Sequence, residues 1–176
     1  MSPRLPIAQL GHPILRASAS VIENARDPAV QSLIDDMLAT LSEIKGIGLA
    51  APQVYQPQRL FVVAIRPTAR FPNAPLMEPT AILNPEIMWS SQETSKNWEA
   101  CWSIPGIRGM VPRPRAIRLR YMLRSGETAE QEFTGFTSWL FQHEFDHLDG
   151  HVYLDRLESV QDIMTEAEYQ RQMPGQ

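Results

Sequence analysis

The chain has four histidines, and two of them, His143 and His147, stand four residues apart in FQHEFDHLDG (Phe141 to Gly150), with Glu144 beside the first. On a helix, side chains at i and i+4 lie one above the other, about 6 Å apart along the axis, so two imidazoles can converge on one cation. A glutamate at i+1 of the first then lies to one side, close to a water on the ion but outside the ligand set. That pattern suits metal-assisted hydrolysis: two ligands and a carboxylate free to move protons. The competing reading is a helix whose histidines merely face the edge of a core.

A catalytic ion needs a third protein ligand and an open position. His151 follows His147 by four residues but lies past Gly150, which is placed to end the helix. Glu166 or Glu168 would serve a zincin-type peptidase. Cys101, the only thiol, is the other donor, in NWEACWSIPG between strand-like segments, with Pro105-Gly106 as a turn just after it. A lone cysteine also packs well as a small hydrophobe. Spacing alone leaves Cys101 and a downstream glutamate both open.

The elements that must position these groups follow from patterning. DPAVQSLIDDMLATLSEIKG reads as a helix, capped by Asp27, with Pro28 in its first turn and Gly46 to close it. Its stripe is Val30, Leu33, Ile34, Met37, Leu38, Leu41 and Ile44. Arg59 to Ile65 and Thr80 to Met88 are branched and apolar, hence strands. In RAIRLRYML, Ile117, Leu119, Tyr121 and Leu123 alternate with Arg118 and Arg120, as in a half-buried strand turning at Ser125-Gly126 into a partner that ends near Phe133. Most of the basic run from Arg108 to Arg124 is then a solvated strand face. Arg66 to Pro79, rich in proline, reads as an extended surface loop. From Gly135 the period becomes helical, placing Phe136, Trp139, Leu140, His143 and His147 on one face. Strands and helices in separate blocks predict an α+β fold.

With 176 residues, 43% hydrophobic and 20% charged, the sequence is expected to form one domain (1–176) with its own core. A net charge of −4 argues against direct nucleic-acid binding. A single cysteine excludes an internal disulfide, and no apolar run has the length of a membrane span. The expected setting is cytoplasmic.

Three segments taken together, GIGLAAPQV (Gly46 to Val54), EACWSIPG (Glu99 to Gly106) and QHEFDHLDG (Gln142 to Gly150), resemble the peptide deformylase family in order and spacing. GHPILR, LNPEI and GHVYLDRL extend the likeness over most of residues 4 to 157. The resemblance implies antiparallel sheets packed around a central helix that carries the HExxH residues. It implies Cys101, His143 and His147 as ligands of one divalent ion, typically Fe²⁺, with Ni²⁺, Co²⁺ or Zn²⁺ able to substitute. Glu144 would be general base and acid. Gln53 and the backbone N–H of Trp102 would meet the oxyanion, and Ile47 and Gly48 would border the peptide. Trp139 and Leu140, a turn before His143, are candidates for the methionine pocket. The implied activity is removal of the formyl group from the N-terminal methionine of nascent chains, with transient proximity to the ribosome.

Two departures from the family pattern flank the thiol: Ala100 stands where glycine is usual and Trp102 where leucine is usual. A positive φ at position 100 would strain alanine. The alternatives carried forward are a zincin-like metallopeptidase and a deformylase-fold protein that binds peptide termini with little turnover.

Overall fold

The computed structural model describes residues 4–67 and 74–173. The helix expected first is α1 (Pro28–Glu43), with Asp27 accepting a hydrogen bond from the Ala29 N–H at 2.8 Å and Pro28 at its first position. Its stripe buries Val30, Ile34, Met37, Leu41 and Ile44, with Leu33 and Leu38 partly covered. Its end differs from expectation. Lys45, not Gly46, takes the left-handed conformation, at φ 54°. The Lys45 N–H bonds to the Ser42 carbonyl and the Gly46 N–H to the Leu41 carbonyl, at 3.2 and 3.0 Å, which closes the last turn.

Strands β1 (Gly48–Ala50), β2 (Leu60–Ile65), β3 (Met77–Ser90), β6 (Ala116–Met122) and β7 (Thr128–Thr134) form one antiparallel sheet in the order β1-β2-β3-β6-β7. Alternation along β2 sorts its side chains between two cores. Leu60 and Val62 join α1, while Phe61, Val63 and Ile65 join α2 (Gly135–Leu148) on the opposite face. The sheet is thus sandwiched between helices, and α2 is fixed by Leu140, Phe141 and Leu148 against Ile82, Ile117, Leu119 and Phe133. Gly150, at φ 75°, ends the turn after α2, and a Cβ there would meet the Arg16 backbone at 2.7 Å. Only glycine fits that crossing.

A second antiparallel sheet, β4 (Thr94–Cys101), β5 (Ile104–Pro114) and β8 (Ile163–Thr165), lies in the order β4-β5-β8. Helix α3 (Glu166–Gln172) follows β8. The turn between β4 and β5 is Trp102-Ser103, whereas Pro105-Gly106 lies within β5, where the register shifts between Glu99 and Cys101. Proline and glycine here make a bulge, not the expected turn. In the segment 66–79, residues 68–73 lie outside the described part, and Met77 to Pro79 already belong to β3.

The basic run divides. Arg115, Arg118, Arg120 and Arg124 are exposed and paired with Glu93, Glu132, Glu130 and Asp35. Arg108 and Arg113 are buried. The solvated-face reading therefore fails for those two, which lie in β5, not β6: Arg108 is covered by Glu166 and Tyr169, and Arg113 is enclosed by Glu99 and Asp146.

A β-carbon in the left-handed region costs roughly 1 kcal/mol, which glycine avoids. Lys45→Gly is therefore expected to raise the unfolding free energy by about 1 kcal/mol, measured by urea denaturation. An unchanged or lower midpoint would contradict the strain.

Candidate metal centre and active site

Cys101 ends β4 where the chain turns back into β5, which fixes its thiol beside the inner face of α2. There Cys101 Sγ lies 3.4 Å from His147 Nε2, and the donor atoms of Cys101, His143 and His147 all fall within 4.8 Å of one another. Ligands at 2.0–2.3 Å from a tetrahedral ion stand roughly 3.3–3.8 Å apart, so the Cys101–His147 separation matches such a site and the three donors are close enough together to hold one ion. All three residues are buried.

Around them, each donor is oriented. The His143 Nδ1–H donates to Glu99 Oε2 at 2.6 Å, which leaves Nε2 facing the thiol. Glu99, wholly buried two residues before the end of β4, also accepts from Arg113 Nε and Nη2 (2.5 and 3.0 Å) and from the Trp139 indole N–H (2.7 Å). Arg113 Nη1 reaches Asp146 at 2.9 Å, and Asp146 accepts from Arg156 as well. Burial alone would raise the pKa of Glu99, but the Arg113 charge and the bonds from His143 and Arg113 outweigh it and hold it at about 2. Cys101 behaves likewise: burial would raise it, and the neighbouring His147 and His143 bring it down to about 5. A thiolate at neutral pH is the ligating form.

Glu144 goes the other way. Burial pushes it up to about 7, against the lowering effect of the two histidines. Its Oε2 is buried without a hydrogen-bond partner among the described residues, aimed into the site. Gly48 admits this carboxylate, since a Cβ at that position would stand 2.3 Å from Glu144 Oε1. Gln53 is locked by its own Oε1, which accepts from the Ala50 N–H at 2.8 Å; its Nε2 donates to Cys101 Sγ at 3.2 Å and to Ser103 Oγ at 3.3 Å.

A cleft of about 630 Å³ opens from these groups, within the usual range for a ligand site. Ile47, Gly48, Gln53, Trp102, Trp139 and Leu140 line it together with Cys101, His143 and Glu144, so every expected site residue except the deeper His147 borders one cavity. Trp102 is half exposed at its mouth, and Ala100 has no positive φ. Sequence spacing had also offered His151, Glu166 and Glu168. His151 is exposed, with Nδ1 beside the Asp149 carbonyl. Glu166 holds Arg108 through both oxygens, and Glu168 pairs with Arg171. None of the three joins the thiol and imidazoles. The reading of the sequence missed Glu99, Arg113 and Asp146, although Glu99 and Asp146 sit inside the motifs; only their contacts across strands distinguish them.

A thiolate and two imidazoles beside a carboxylic acid balanced near neutrality are the equipment of a metal-dependent hydrolase. Residues 4–162 match the family described as polypeptide deformylase. Peptide deformylase 2 of a Nostoc species is 52% identical over 97% of this chain and 96% of its own length, and that of Shewanella oneidensis is 44% identical over 86% and 83%. A class I type b peptide deformylase from Acinetobacter baumannii, solved with Met-Ala-Ser bound, superposes with a TM-score of 0.86 at 39% identity, covering 89% of this chain and all of that one. A peptide deformylase of Synechococcus elongatus in complex with actinonin gives 0.81 at 31% identity, over 91% and 82%. The chain belongs to the peptide deformylase family, metal-dependent hydrolases that act on N-formylmethionyl peptides.

Two outcomes follow from the packing of the site. Glu99→Gln, which weakens the hold on His143, should lower metal affinity about 10- to 100-fold, read by chelator competition; unchanged affinity would contradict the orienting role. Gly48→Ala should displace the Glu144 carboxylate and cut turnover about 100-fold with the ion retained, and full activity in that variant would show the close approach to be unimportant.

Proposed function

We propose that this chain removes the formyl group from the N-terminal methionine of newly made polypeptides, with Cys101, His143 and His147 holding the ion and Glu144 moving the protons. The observation that carries this reading is the convergence of one thiolate and two imidazoles within 4.8 Å, with the Gln53 amide on the thiol. A thiolate among imidazoles favours a transition metal over Mg²⁺ or Ca²⁺. Fe²⁺ is the proposed resident, with Ni²⁺, Co²⁺ or Zn²⁺ as substitutes. Bound there, such an ion supplies Lewis acidity that acidifies water at the site and polarises the formyl carbonyl.

The chain's own residues do the rest. Glu144 Oε2 takes the proton of the attacking water and returns it to the departing amine as the C–N bond breaks; a group near pH 7 can do both. The Gln53 amide and the Trp102 backbone N–H stabilise the negative charge that develops on the formyl oxygen, each donor worth about 3 kcal/mol of barrier. Ile47 and Gly48, leading into the open edge of β1, take the peptide backbone. Trp139, its indole N–H held by Glu99, and Leu140 wall the methionine side chain. The Met-Ala-Ser in the Acinetobacter structure has the chemistry of a deformylated product, which supports this assignment.

No helix among the described residues is long and apolar enough to cross a membrane. The proposed setting is the cytoplasm, close to the ribosome where nascent chains emerge, without direct nucleic-acid binding. The zincin alternative loses support because the Glu166 carboxylate is committed to Arg108. The peptide-binder alternative loses it because Glu144 and Gln53 are intact and Ala100 carries no left-handed strain.

The test is formate release from formyl-Met-Ala-Ser by protein loaded anaerobically with Fe²⁺ or with Ni²⁺. Glu144→Gln should keep its metal and lose turnover about 100- to 10,000-fold. A fully metallated wild type that releases no formate would overturn the proposal.

A further inference from the structure

Three charged side chains outside the metal ligands line the cleft, Lys45, Glu144 and Glu166, and Arg108 stands behind the last of them. Glu144 is buried in the reacting centre. Arg108, buried behind the wall, holds Glu166 through both carboxylate oxygens at 2.6 and 2.8 Å and lies 3.9 Å over the Tyr169 ring, so that pair presents no net charge to an incoming chain. Lys45 is different. It is exposed at the cleft, and its ammonium has no ion-pair or hydrogen-bond partner among the described residues. It also occupies a left-handed backbone position, φ 54°, where glycine would carry no strain. An unpartnered cation held in a strained conformation at a site mouth suggests work for its side chain.

Its distance along the chain sets what it can reach. Gly48 packs on the Glu144 carboxylate and so marks the reacting end of the cleft. Lys45 is three residues earlier, a span of at most roughly 10 Å in extended backbone, and a substrate advances about 3.3 Å per extended residue. A peptide whose first residue sits at the metal and which runs along the cleft from Gly48 toward Lys45 would bring its second to fourth residues within reach of the Lys45 side chain.

We propose that Lys45 is a specificity-determining residue that favours N-formylmethionyl peptides with an acidic side chain at positions two to four and disfavours basic ones. This rests on the deformylase reading. The attraction is a solvent-screened ion pair, so the preference is modest and falls with added salt.

The experiment compares kcat/KM for two amidated peptides, formyl-Met-Ala-Asp-Ala and formyl-Met-Ala-Lys-Ala, at low ionic strength. The wild type should favour the aspartyl peptide about three- to tenfold. Lys45→Gly, which suits the backbone and so preserves folding, should bring the ratio to about one. Lys45→Glu should invert it. Arg120→Glu, an equal change of net charge on the exposed face of β6, should keep the wild-type ratio and thereby show that the effect is local. Equal rates on the two peptides, or a ratio that Lys45→Glu does not move, would overturn the proposal and leave the deformylase reading standing. Formate release from neither peptide would overturn the reading beneath it.

Discussion

Arg113 is a cation buried between two carboxylates, and the active centre depends on that arrangement. Its guanidinium ties Glu99 of β4 to Asp146 of α2 from its own place on β5, so three elements are clamped at one point. Asp146 passes the link on to Arg156 at the surface. Two carboxylates and two guanidinium groups balance, which lets Glu99 keep its charge in the interior. Such a network adds little net stability over a well-packed apolar cluster, yet removing one member costs about 3–5 kcal/mol, because an unmatched charge remains buried. What it achieves here is geometric: Glu99 fixes His143 and the Trp139 indole with the same carboxylate. One imidazole of the Cys101–His143–His147 cluster and the Trp139 wall of the cleft are therefore set by one group.

Burial then acts on two neighbouring acids with opposite results. It tends to raise both Cys101 and Glu144, but the histidines bring the thiol down to about 5, while Glu144 stays up at about 7. One group is thus held as a thiolate, the form that ligates a metal, and the other as an acid balanced near neutrality, although both lie in the same pocket. Gly48 completes the division by giving the carboxylate room that any side chain would take.

Much of this was legible in the sequence because it follows from local periodicity. The α1 stripe, the alternation along β6 and the helix carrying His143 and His147 depend on neighbours a few residues apart. The donor set needed more, since Cys101 lies 46 residues from His147 and only the similarity of three segments pointed to their meeting. Arg113 could not be told from Arg115, Arg118 or Arg120, because the difference is which strand pairs with which. Pro105-Gly106 has the chemistry of a turn yet forms a bulge in β5, where the turn two residues earlier had already reversed the chain. Lys45 takes the left-handed position that glycine usually fills at a helix end, because the bond that closes the turn comes from the Gly46 N–H one residue later.

The central claim is that one thiolate and two imidazoles hold a single ion. X-ray absorption at the edge of the bound metal tests it directly. For the zinc-loaded protein it should show one sulfur at about 2.3 Å and two nitrogens at about 2.0–2.1 Å, with the remaining position filled by a light atom. A spectrum with no sulfur shell, or one fitted by carboxylate oxygen in its place, would contradict the account.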